Sequence, residues 1–197
     1  MRLQLSEGER TLQAEPVDET AIWQSLLNGD RRALGEIYTR YFDKLYNYGS
    51  KISHDAAITE DAIQDLFIEL WNRRQGLNDQ VKSIKFYLYT CLRREIVRRI
   101  TKQNPTVEIS ELESFEVELS HKSHYLSQQI DLELKKRLAV EIDSLTPKQR
   151  EAIFLIYFDE LSYPEVAEIM SLKIKTVYNL IHLAINRLKG RREALGS

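Results

Sequence analysis

SLTPKQREAIFLIYFDELSYPEVAEIMSLKIKTVYNLIHLAINRLKG, at residues 144–190, contains two signals for the start of a helix. Thr146 and Gln149 have the spacing of a capping box, in which each side chain accepts a hydrogen bond from the backbone N–H of the other residue. Ser162 and Glu165 repeat this spacing further along the stretch. The pattern therefore predicts two successive helix starts, and the proline after Thr146 suits the first position of the earlier helix.

The second start opens a helix-turn-helix pattern. We predict a short helix from Tyr163 to Met170, a turn at the letters SLKI, and a longer helix from Lys175 to Lys189. Ala167 supplies a small side chain where two such helices cross closely. A helical hairpin inside an ordinary bundle has the same pattern. Only the exposed side chains of the longer helix can distinguish a DNA-binding motif from such a hairpin.

The longer helix has an apolar side and a polar side at 100° per residue. The side predicted to be buried carries Val177, Ile181, Ala184 and Leu188. The opposite side, called the reading face below, carries Lys175, Asn179, His182 and Asn186. Lysine can bind guanine and asparagine can bind adenine in the major groove of DNA. This face favours DNA binding over a purely structural hairpin.

A second amphipathic helix is predicted from ITEDAIQDLFIELWNRR, residues 58–74. Its core side carries Ala62, Ile63, Leu66, Phe67 and Leu70. The other side, called the docking face below, carries Asp61, Gln64, Asp65, Ile68, Trp71 and Asn72. Aliphatic and aromatic groups rimmed by polar ones are typical of protein interfaces, although a solvated face with one aromatic at its edge remains the alternative. An acid and base pair of aspartates is disfavoured, because an exposed helix face lacks a water-excluding pocket.

A basic helix follows in LRREIVRRITK, residues 92–102. Leu92, Ile96 and Ile100 form an apolar stripe, and the opposite side, called the basic face below, carries Arg94, Arg98 and Lys102. Arg93 and Arg99 lie toward the flanks, and Glu95 is the only acid within the run. A sustained cationic stripe is suited to phosphate binding, although a solvated or ion-paired face is the alternative. Upstream cations alternate with aromatic residues that can stack on unpaired bases, at Lys82, Lys85, Phe86, Tyr87 and Tyr89, and Phe86 or Tyr89 is expected to point inward.

The net charge of −2 is unevenly distributed over the 197 residues. Residues 1–19 carry −3 and residues 104–143 carry −5, whereas residues 20–103 carry +4 and residues 144–197 carry +2. Helical periodicity stops in the polar middle segment, whose glutamates are Glu108, Glu111, Glu113, Glu116 and Glu118. Two modestly basic helical blocks joined by an acidic linker are therefore predicted.

The fold class is all-α, with two small helical domains joined by that acidic linker. We predict an acidic N-terminal tail at residues 1–19, helical domains at 20–103 and 132–192, a linker at 104–131, and a short tail at 193–197. No apolar run approaches a membrane span, and the N-terminus lacks the apolar block of a signal peptide, so a cytoplasmic location without membrane insertion is expected. The single cysteine, Cys91, excludes an internal disulfide and is interpreted as a packed thiol.

Together these segments resemble the extracytoplasmic-function (ECF) group of bacterial RNA polymerase sigma factors, within the sigma-70 family. TEDAIQDLFIELW resembles the D-x-x-Q-[DE]-x-F-x-x-x-W motif of region 2, and FYLYTCLRREIVRRI resembles its promoter-melting segment. Residues 145–189 are similar to region 4 throughout. The resemblance implies a factor that directs core polymerase to promoters by melting the minus-10 element and recognising the minus-35 element. It implies no cofactor, no metal and no catalytic residue, because the polymerase performs the chemistry.

The resemblance also implies which residues bind which partner. The clamp helices of the largest polymerase subunit would bind Asp61, Gln64, Asp65, Phe67, Ile68 and Trp71. The minus-10 element would bind Lys82, Lys85, Tyr87, Tyr89, Arg93, Arg94, Arg98, Arg99 and Lys102. The minus-35 element would bind Lys173, Lys175, Thr176, Tyr178, Asn179, His182 and Asn186. The acidic linker would occupy channels that RNA later takes, and an anti-sigma factor is a further candidate partner.

This chain departs from the family pattern at three places. Arg93 and Arg94 stand where Arg-Asn is common, and Ser171 stands where glycine is frequent. The recognition helix is also less basic than usual, since positions often held by polar or cationic groups are occupied by Tyr178, Asn179, Leu183 and Asn186.

Three other functions fit part of the sequence. An autonomous helix-turn-helix regulator, independent of polymerase, is the main alternative. A metal site at Glu118, His121 and His124 is disfavoured, because these residues lack a regular helix and a fourth ligand. A pure interaction module explains the docking face but leaves the reading face without a role.

Overall fold

The computed structural model describes residues 18–81, 83–103, 115 and 141–195, with side chains through residue 189. The described part of the chain is helical and contains no β-strand, which confirms the all-α prediction. It also contains a 3₁₀ turn at Arg74–Gly76 and a π-helical turn at Phe154–Phe158. The helices are α1 (Glu19–Leu27), α2 (Arg31–Ser53), α3 (Ala56–Arg73), α4 (Ile84–Gln103), α5 (Pro147–Ile153), α6 (Tyr163–Ile169) and α7 (Ile174–Leu195).

The helices of the N-terminal block, α1–α4, begin at acidic caps. Asp18, Asp30 and Asp55 each accept hydrogen bonds from backbone N–H groups in the first turn of the helix that follows. Glu19 performs a similar task over a long sequence distance, because its carboxylate accepts the N–H of Ile84 at 3.1 Å, where α4 begins. These contacts satisfy donors that a helix start leaves without a partner.

The helices α2, α3 and α4 pack on one another around Gly49. A Cβ atom at Gly49 would lie 2.9 Å from Cγ2 of Thr59 and 3.0 Å from Cδ1 of Ile96. The absent side chain therefore lets three helices approach closely at one point, above a core that includes Leu45 and Leu92.

The C-terminal block, α5–α7, forms the predicted helix-turn-helix. Both capping boxes form, since Gln149 accepts the N–H of Thr146 at 3.0 Å and Glu165 accepts the N–H of Ser162 at 2.8 Å. The turn contains Ser171 in the left-handed conformation, at φ 55°. The helix α7 begins one residue earlier than predicted and continues beyond Lys189.

The two blocks pack against each other through one continuous cluster of buried residues. Tyr48 of α2 stacks on Phe154 of the π-helical turn, with ring centroids 6.3 Å apart. Phe115, the one described residue between 104 and 140, is buried beside both rings. Phe115, which lies within the predicted linker, therefore contributes to the core between the two blocks. The domain boundaries themselves stay predictions.

Candidate protein and nucleic-acid interfaces

The docking face borders an open apolar groove of about 530 Å³ between α2 and α3. Asp61, Gln64, Asp65 and Ile68 are exposed, as their spacing predicts, and Ile68 keeps 51% of its surface accessible. The groove is lined by Leu34, Tyr38, Phe42, Glu60, Ile63, Gln64, Phe67, Ile68, Trp71 and Asn72. A groove with an aliphatic and aromatic floor and a polar rim has the composition of a protein-binding site.

Two residues of the predicted polymerase-binding set, one from the core side and one from the docking face, are less exposed than the others. Phe67 is buried, with 6% of its surface exposed, so it supports the groove from below rather than projecting from it. Trp71 is half-buried and lies against the guanidinium of Arg74, 4.1 Å from the ring centroid. Arg74 also donates from Nη1 to the carbonyl of Trp71 at 2.7 Å, so one arginine fixes both the ring and its backbone.

Sequence reasoning missed the contribution of α2 to this groove. Tyr38 is 42% exposed and packs edge-on against Phe67, with ring centroids 5.0 Å apart. Phe42 lies one helical turn further along α2, and the centroid of its ring is 5.1 Å from that of Tyr38. Their i, i+4 spacing outside the buried stripe of α2 is the signal that could have identified them.

Asp61 and Asp65 face an arginine of the basic helix. Arg99 reaches the carboxylate of Asp61 at 3.8 Å, forms an ion pair with Asp65, and donates from Nε to Glu95 at 2.7 Å. Both aspartates remain largely exposed, at 66% and 57% of their side-chain surface. The arrangement is a surface charge network without the enclosed pocket that an acid and base pair needs.

The basic face of α4 is exposed as predicted at Arg94, Arg98 and Lys102. Arg98 donates two hydrogen bonds to Glu95, at 2.9 and 2.8 Å. Within the described residues, no ion pair involves Arg94 or Lys102. These two cations are available to a phosphate, whereas Arg98 would have to leave Glu95 in order to bind one.

Arg93 departs from the flanking position expected for it, because it is buried under the C-terminal block, with 8% of its surface exposed. It donates from Nε to Glu151 of α5 at 2.8 Å and from Nη2 at 3.3 Å. Tyr48 donates its hydroxyl to the same carboxylate at 2.7 Å. Burial, and secondly the Glu151 carboxylate, hold the pKa of Tyr48 well above its usual value, which keeps it a donor. Glu95 is the only acid within the run itself, and folding brings further acids to the arginines from α3 and α5.

Lys85 and Tyr89 also lie beneath the C-terminal block. Tyr89 is fully buried, and its ring stacks on that of Tyr48 with centroids 4.9 Å apart. This confirms the prediction that Phe86 or Tyr89 points inward. Lys85 donates to the carbonyl of Asp159, and its ammonium lies 3.8 Å from the carboxylate of that residue. Burial lowers the pKa of Lys85 and raises that of Asp159, while each charge partly offsets the effect on its partner. In this conformation, neither side chain can reach a nucleic acid.

The remaining predicted minus-10 residues have mixed positions. Tyr87 is half-buried, packs edge-on against Trp23 at 5.4 Å, and has a pKa raised chiefly by burial. Cys91 is also half-buried, as expected of a packed thiol. Lys82 lies outside the described residues.

The reading face of α7 is exposed at Lys175, Asn179, His182 and Asn186. Val177, Ile181 and Ala184 are buried on the other side, and Leu188 is half-buried, so the predicted orientation of the helix is confirmed. The side-chain amide of Asn186 lies 3.3 Å from Nε2 of His182.

The flanks of α7 complete this surface. Lys173 is exposed and Thr176 is half-buried. Tyr178 is 52% exposed and stacks on Tyr163 at 4.3 Å, so its ring is held beside the reading face. Leu183 is 57% exposed, and the sequence prediction did not include it among the DNA-binding residues.

Several predictions fall on residues that the structure does not describe. They are the glutamates from Glu108 to Glu118, the histidines His121 and His124, and residues 1–17 of the predicted N-terminal tail, whose last two residues cap and begin α1. In the described part of the chain, no group of three or more histidine, cysteine, aspartate or glutamate residues could hold a metal ion. No helix in the same residues has the length and apolar character to cross a membrane.

Comparison with known proteins matches both blocks to one family. The model of Sigma-70 region 2 matches residues 37–106, and that of Sigma-70, region 4 matches residues 135–188. The ECF RNA polymerase sigma factor SigK of Mycolicibacterium vanbaalenii is 24% identical over 170 residues, which cover 86% of each chain. The RNA polymerase sigma factor YlaC of Bacillus subtilis is 28% identical over 163 residues, covering 81% of this chain and 91% of the relative.

Two solved structures share the fold. The sigma factor RpoE, in complex with the anti-sigma factor NepR from Bartonella quintana, aligns with a TM-score of 0.57 and 25% identity, covering 79% of this chain and 94% of that one. CnrH, in complex with the cytosolic domain of CnrY, aligns with a TM-score of 0.57 and 19% identity, covering 89% and 97%. With regions 2 and 4 matched in order across most of its length, this chain belongs to the ECF group of the sigma-70 family of RNA polymerase sigma factors.

Proposed function

We propose that this sigma factor directs core RNA polymerase to promoters by binding the clamp helices through α3, the minus-10 element through α4 and the minus-35 element through α7. The observation that carries the proposal is the exposed reading face on the second helix of a helix-turn-helix, in the same chain as a region 2 docking groove. The protein acts as an initiation factor, and the chemistry of transcription belongs to the polymerase. Since its template and enzyme are cytoplasmic, so is its proposed location.

The docking groove suits a partner helix that presents both apolar and basic side chains. Ile68 and Tyr38 offer apolar contact along the groove. Asp61 and Asp65 at its edge offer carboxylates to cations of the partner. A cation of the partner would replace Arg99 beside these two carboxylates. The guanidinium of Arg99 would then be available to the neighbouring DNA-binding surface.

The basic face of α4 is suited to the phosphates of a separated strand. Arg94 and Lys102 are eight residues apart on the exposed side, about 12 Å along the helix, and would neutralise two phosphates that are not adjacent. Lys85, Tyr89 and Arg93 would join them only after the C-terminal block moves away. Base stacking would then fall to Tyr87 or Tyr89.

Simultaneous use of both DNA elements requires the two blocks to separate. The minus-10 and minus-35 positions are about 25 base pairs apart, and at roughly 3.4 Å per base pair this is about 85 Å along the duplex. In the closed arrangement, α4 and α5 are joined by a contact of 2.8 Å between Arg93 and Glu151. Each block binds its element weakly alone, and linkage within the holoenzyme makes the two act together through effective concentration.

An anti-sigma factor is the proposed regulatory partner. RpoE and CnrH, which share this fold, were both solved in complex with a second protein, NepR or CnrY. The docking groove is an open apolar groove of the N-terminal block and offers such a partner a surface that polymerase also needs. Competition between the two proteins for this groove would keep the factor inactive.

The decisive experiment mixes the protein with purified core polymerase and genomic DNA, and sequences the 5′ ends of the transcripts. Specific starts that share an upstream motif near positions −10 and −35 support the proposal. An Asn179→Ala variant serves as the control for reading, since its starts should shift toward promoters with altered minus-35 elements. An absence of specific starts, combined with strong salt-sensitive binding of the free protein to duplex DNA, would establish the autonomous regulator instead.

A further inference from the structure

Leu183 is the most exposed of the large hydrophobic side chains in the described residues, at 57%. Its exposed neighbours one turn away on α7 are Asn179 and Asn186, and both are polar, whereas Leu180, also one turn away, is half-buried against the core. Arg187 on the following turn is exposed as well. An aliphatic side chain thus stands alone within the surface that carries hydrogen-bonding groups for the major groove.

The position of Leu183 excludes a role in the core. Val177, Ile181 and Ala184 form the buried side of α7, and Leu183 points away from them. A leucine side chain usually stabilises a fold because it is buried away from water. None of the described residues buries Leu183 in this way.

A protein-docking role is also disfavoured by the surroundings of Leu183. The other exposed apolar side chains of α7 are Ile174, at the start of the helix, and Tyr178, whose ring stacks on that of Tyr163 with centroids 4.3 Å apart. Five residues separate Tyr178 from Leu183, which is about 140° around an α-helix. Protein interfaces use contiguous apolar patches, whereas the exposed residues one turn from Leu183 are the amides Asn179 and Asn186 and the cation Arg187.

The major groove offers a matching apolar group. Each base pair presents hydrogen-bonding atoms there, and thymine adds a C5 methyl group that aliphatic side chains contact. Asparagine pairs with the N6 and N7 atoms of adenine in the same groove. A leucine between Asn179 and Asn186 therefore complements a run of A·T pairs better than lysine or arginine would, since those residues favour guanine.

We propose that Leu183 reads the C5 methyl of a thymine within the minus-35 element and so sets a preference for A·T pairs at that step. The inference rests on the proposed function, in which α7 enters the major groove. Asn179 and Leu183 are one turn apart, about 6 Å along the helix. The thymine therefore lies within about two base pairs of the base that Asn179 contacts.

The test replaces each thymine of a mapped minus-35 element, one at a time, by deoxyuridine, which lacks only the methyl group. Holoenzyme affinity is measured on each duplex with the minus-10 element unchanged. One replacement should weaken binding about fourfold, the effect expected for one buried methyl-sized group. Leu183→Ser should bind thymine and deoxyuridine equally at that step and leave the other steps unaffected.

Matched variants separate this contact from general effects. Ile174→Ser changes another exposed aliphatic residue of α7, 44% exposed and outside the reading face, and should keep the fourfold discrimination. Asn179→Ala should weaken binding to both duplexes and keep their ratio, because it leaves the leucine in place.

Four outcomes would overturn the inference. The first is that the unaltered protein binds every deoxyuridine duplex as tightly as the thymine duplex. The second is that the mapped minus-35 element contains no thymine. Discrimination that persists in Leu183→Ser also does so, and loss of core polymerase binding in that variant would make Leu183 a protein contact. Promoter binding that ignores the whole minus-35 element would instead contradict the proposed function, and this inference with it.

Discussion

The side-chain amide of Asn179 lies on the reading face with its surface open to solvent. We predict that Asn179→Ala costs about 1–3 kcal/mol of binding free energy at one base pair of the minus-35 element, because a bidentate contact to adenine is lost. Holoenzyme affinity on duplexes with single base changes measures this. Asn47→Ala, on an exposed position of α2, is the control and should leave the profile unchanged. A uniform loss at every sequence would show that Asn179 holds the backbone only.

Ile68 tests the docking groove at the same scale. It is 51% exposed at the edge of the groove, so its removal should leave the fold intact. We predict that Ile68→Ala weakens binding to core polymerase about tenfold, since apolar anchors in such grooves dominate binding energy. The affinity of labelled protein for core polymerase measures the effect. Ile174→Ala, a matched exposed isoleucine in region 4, should weaken it less, and equal losses would contradict docking through α3.

The sequence predicts exposure well for residues that one helix determines. Asp65, Ile68 and Asn179 are exposed, and Leu92 and Val177 are buried, because helical periodicity alone fixes which side faces solvent. Arg93 was predicted less well, since its burial depends on Glu151, which lies 58 residues further along the chain. Contacts of this range leave no periodic signal.

Gly49 controls how closely three helices approach one another. We predict that Gly49→Ala lowers the free energy of unfolding by about 1–3 kcal/mol, because the added Cβ would overlap Thr59 and crowd Ile96. Urea unfolding followed by circular dichroism measures the change. Gly35→Ala is the matched control in the same helix, since no atom lies within 4 Å of its added Cβ. It should be neutral or stabilising by up to about 1 kcal/mol, and an equal loss in both variants would contradict the role of Gly49.

Helix starts were predictable because each depends on two nearby residues. Thr146 and Gln149 form their capping box, and so do Ser162 and Glu165. The π-helical turn at Phe154–Phe158 was not predicted, since its letters FLIYF have no distinct periodicity. Its aromatic rings find their packing partners only when the two blocks come together, because Phe154 stacks on Tyr48 of the other block.

At the scale of the whole molecule, the buried pair of Arg93 and Glu151 holds the two blocks together. We predict that Glu151→Gln shifts the free chain toward an open form, because an arginine left buried without an anionic partner costs about 3–5 kcal/mol. Small-angle X-ray scattering of the free chain should give a larger radius of gyration.

The control for this change is Glu168→Gln, which alters an exposed glutamate on α6 that has no side-chain partner among the described residues. Its scattering curve should match that of the unaltered protein. The open variant should also bind promoter DNA more tightly without polymerase, because Arg93 and Lys85 become accessible. An unchanged radius of gyration in Glu151→Gln would show that the apolar cluster alone holds the blocks together.

The two predicted blocks and their order follow from the sequence, whereas their packing does not. Each block carries its own caps and amphipathic helices, so local physics identifies it. The contact between them depends on pairs such as Lys85 with Asp159, in which acid and base lie far apart in the sequence. Charge counting by segment therefore overestimated how many cations of α4 are available to DNA.

The most direct test of sigma activity is transcription in vitro from a mapped promoter with purified core polymerase and this protein. Specific transcript should appear only when both proteins are present and both elements are intact. Insertion of about five base pairs between the elements turns one by half a helical turn and should abolish it. Specific transcript without this protein, or transcript that tolerates the insertion unchanged, would contradict recognition of a promoter by regions 2 and 4 together.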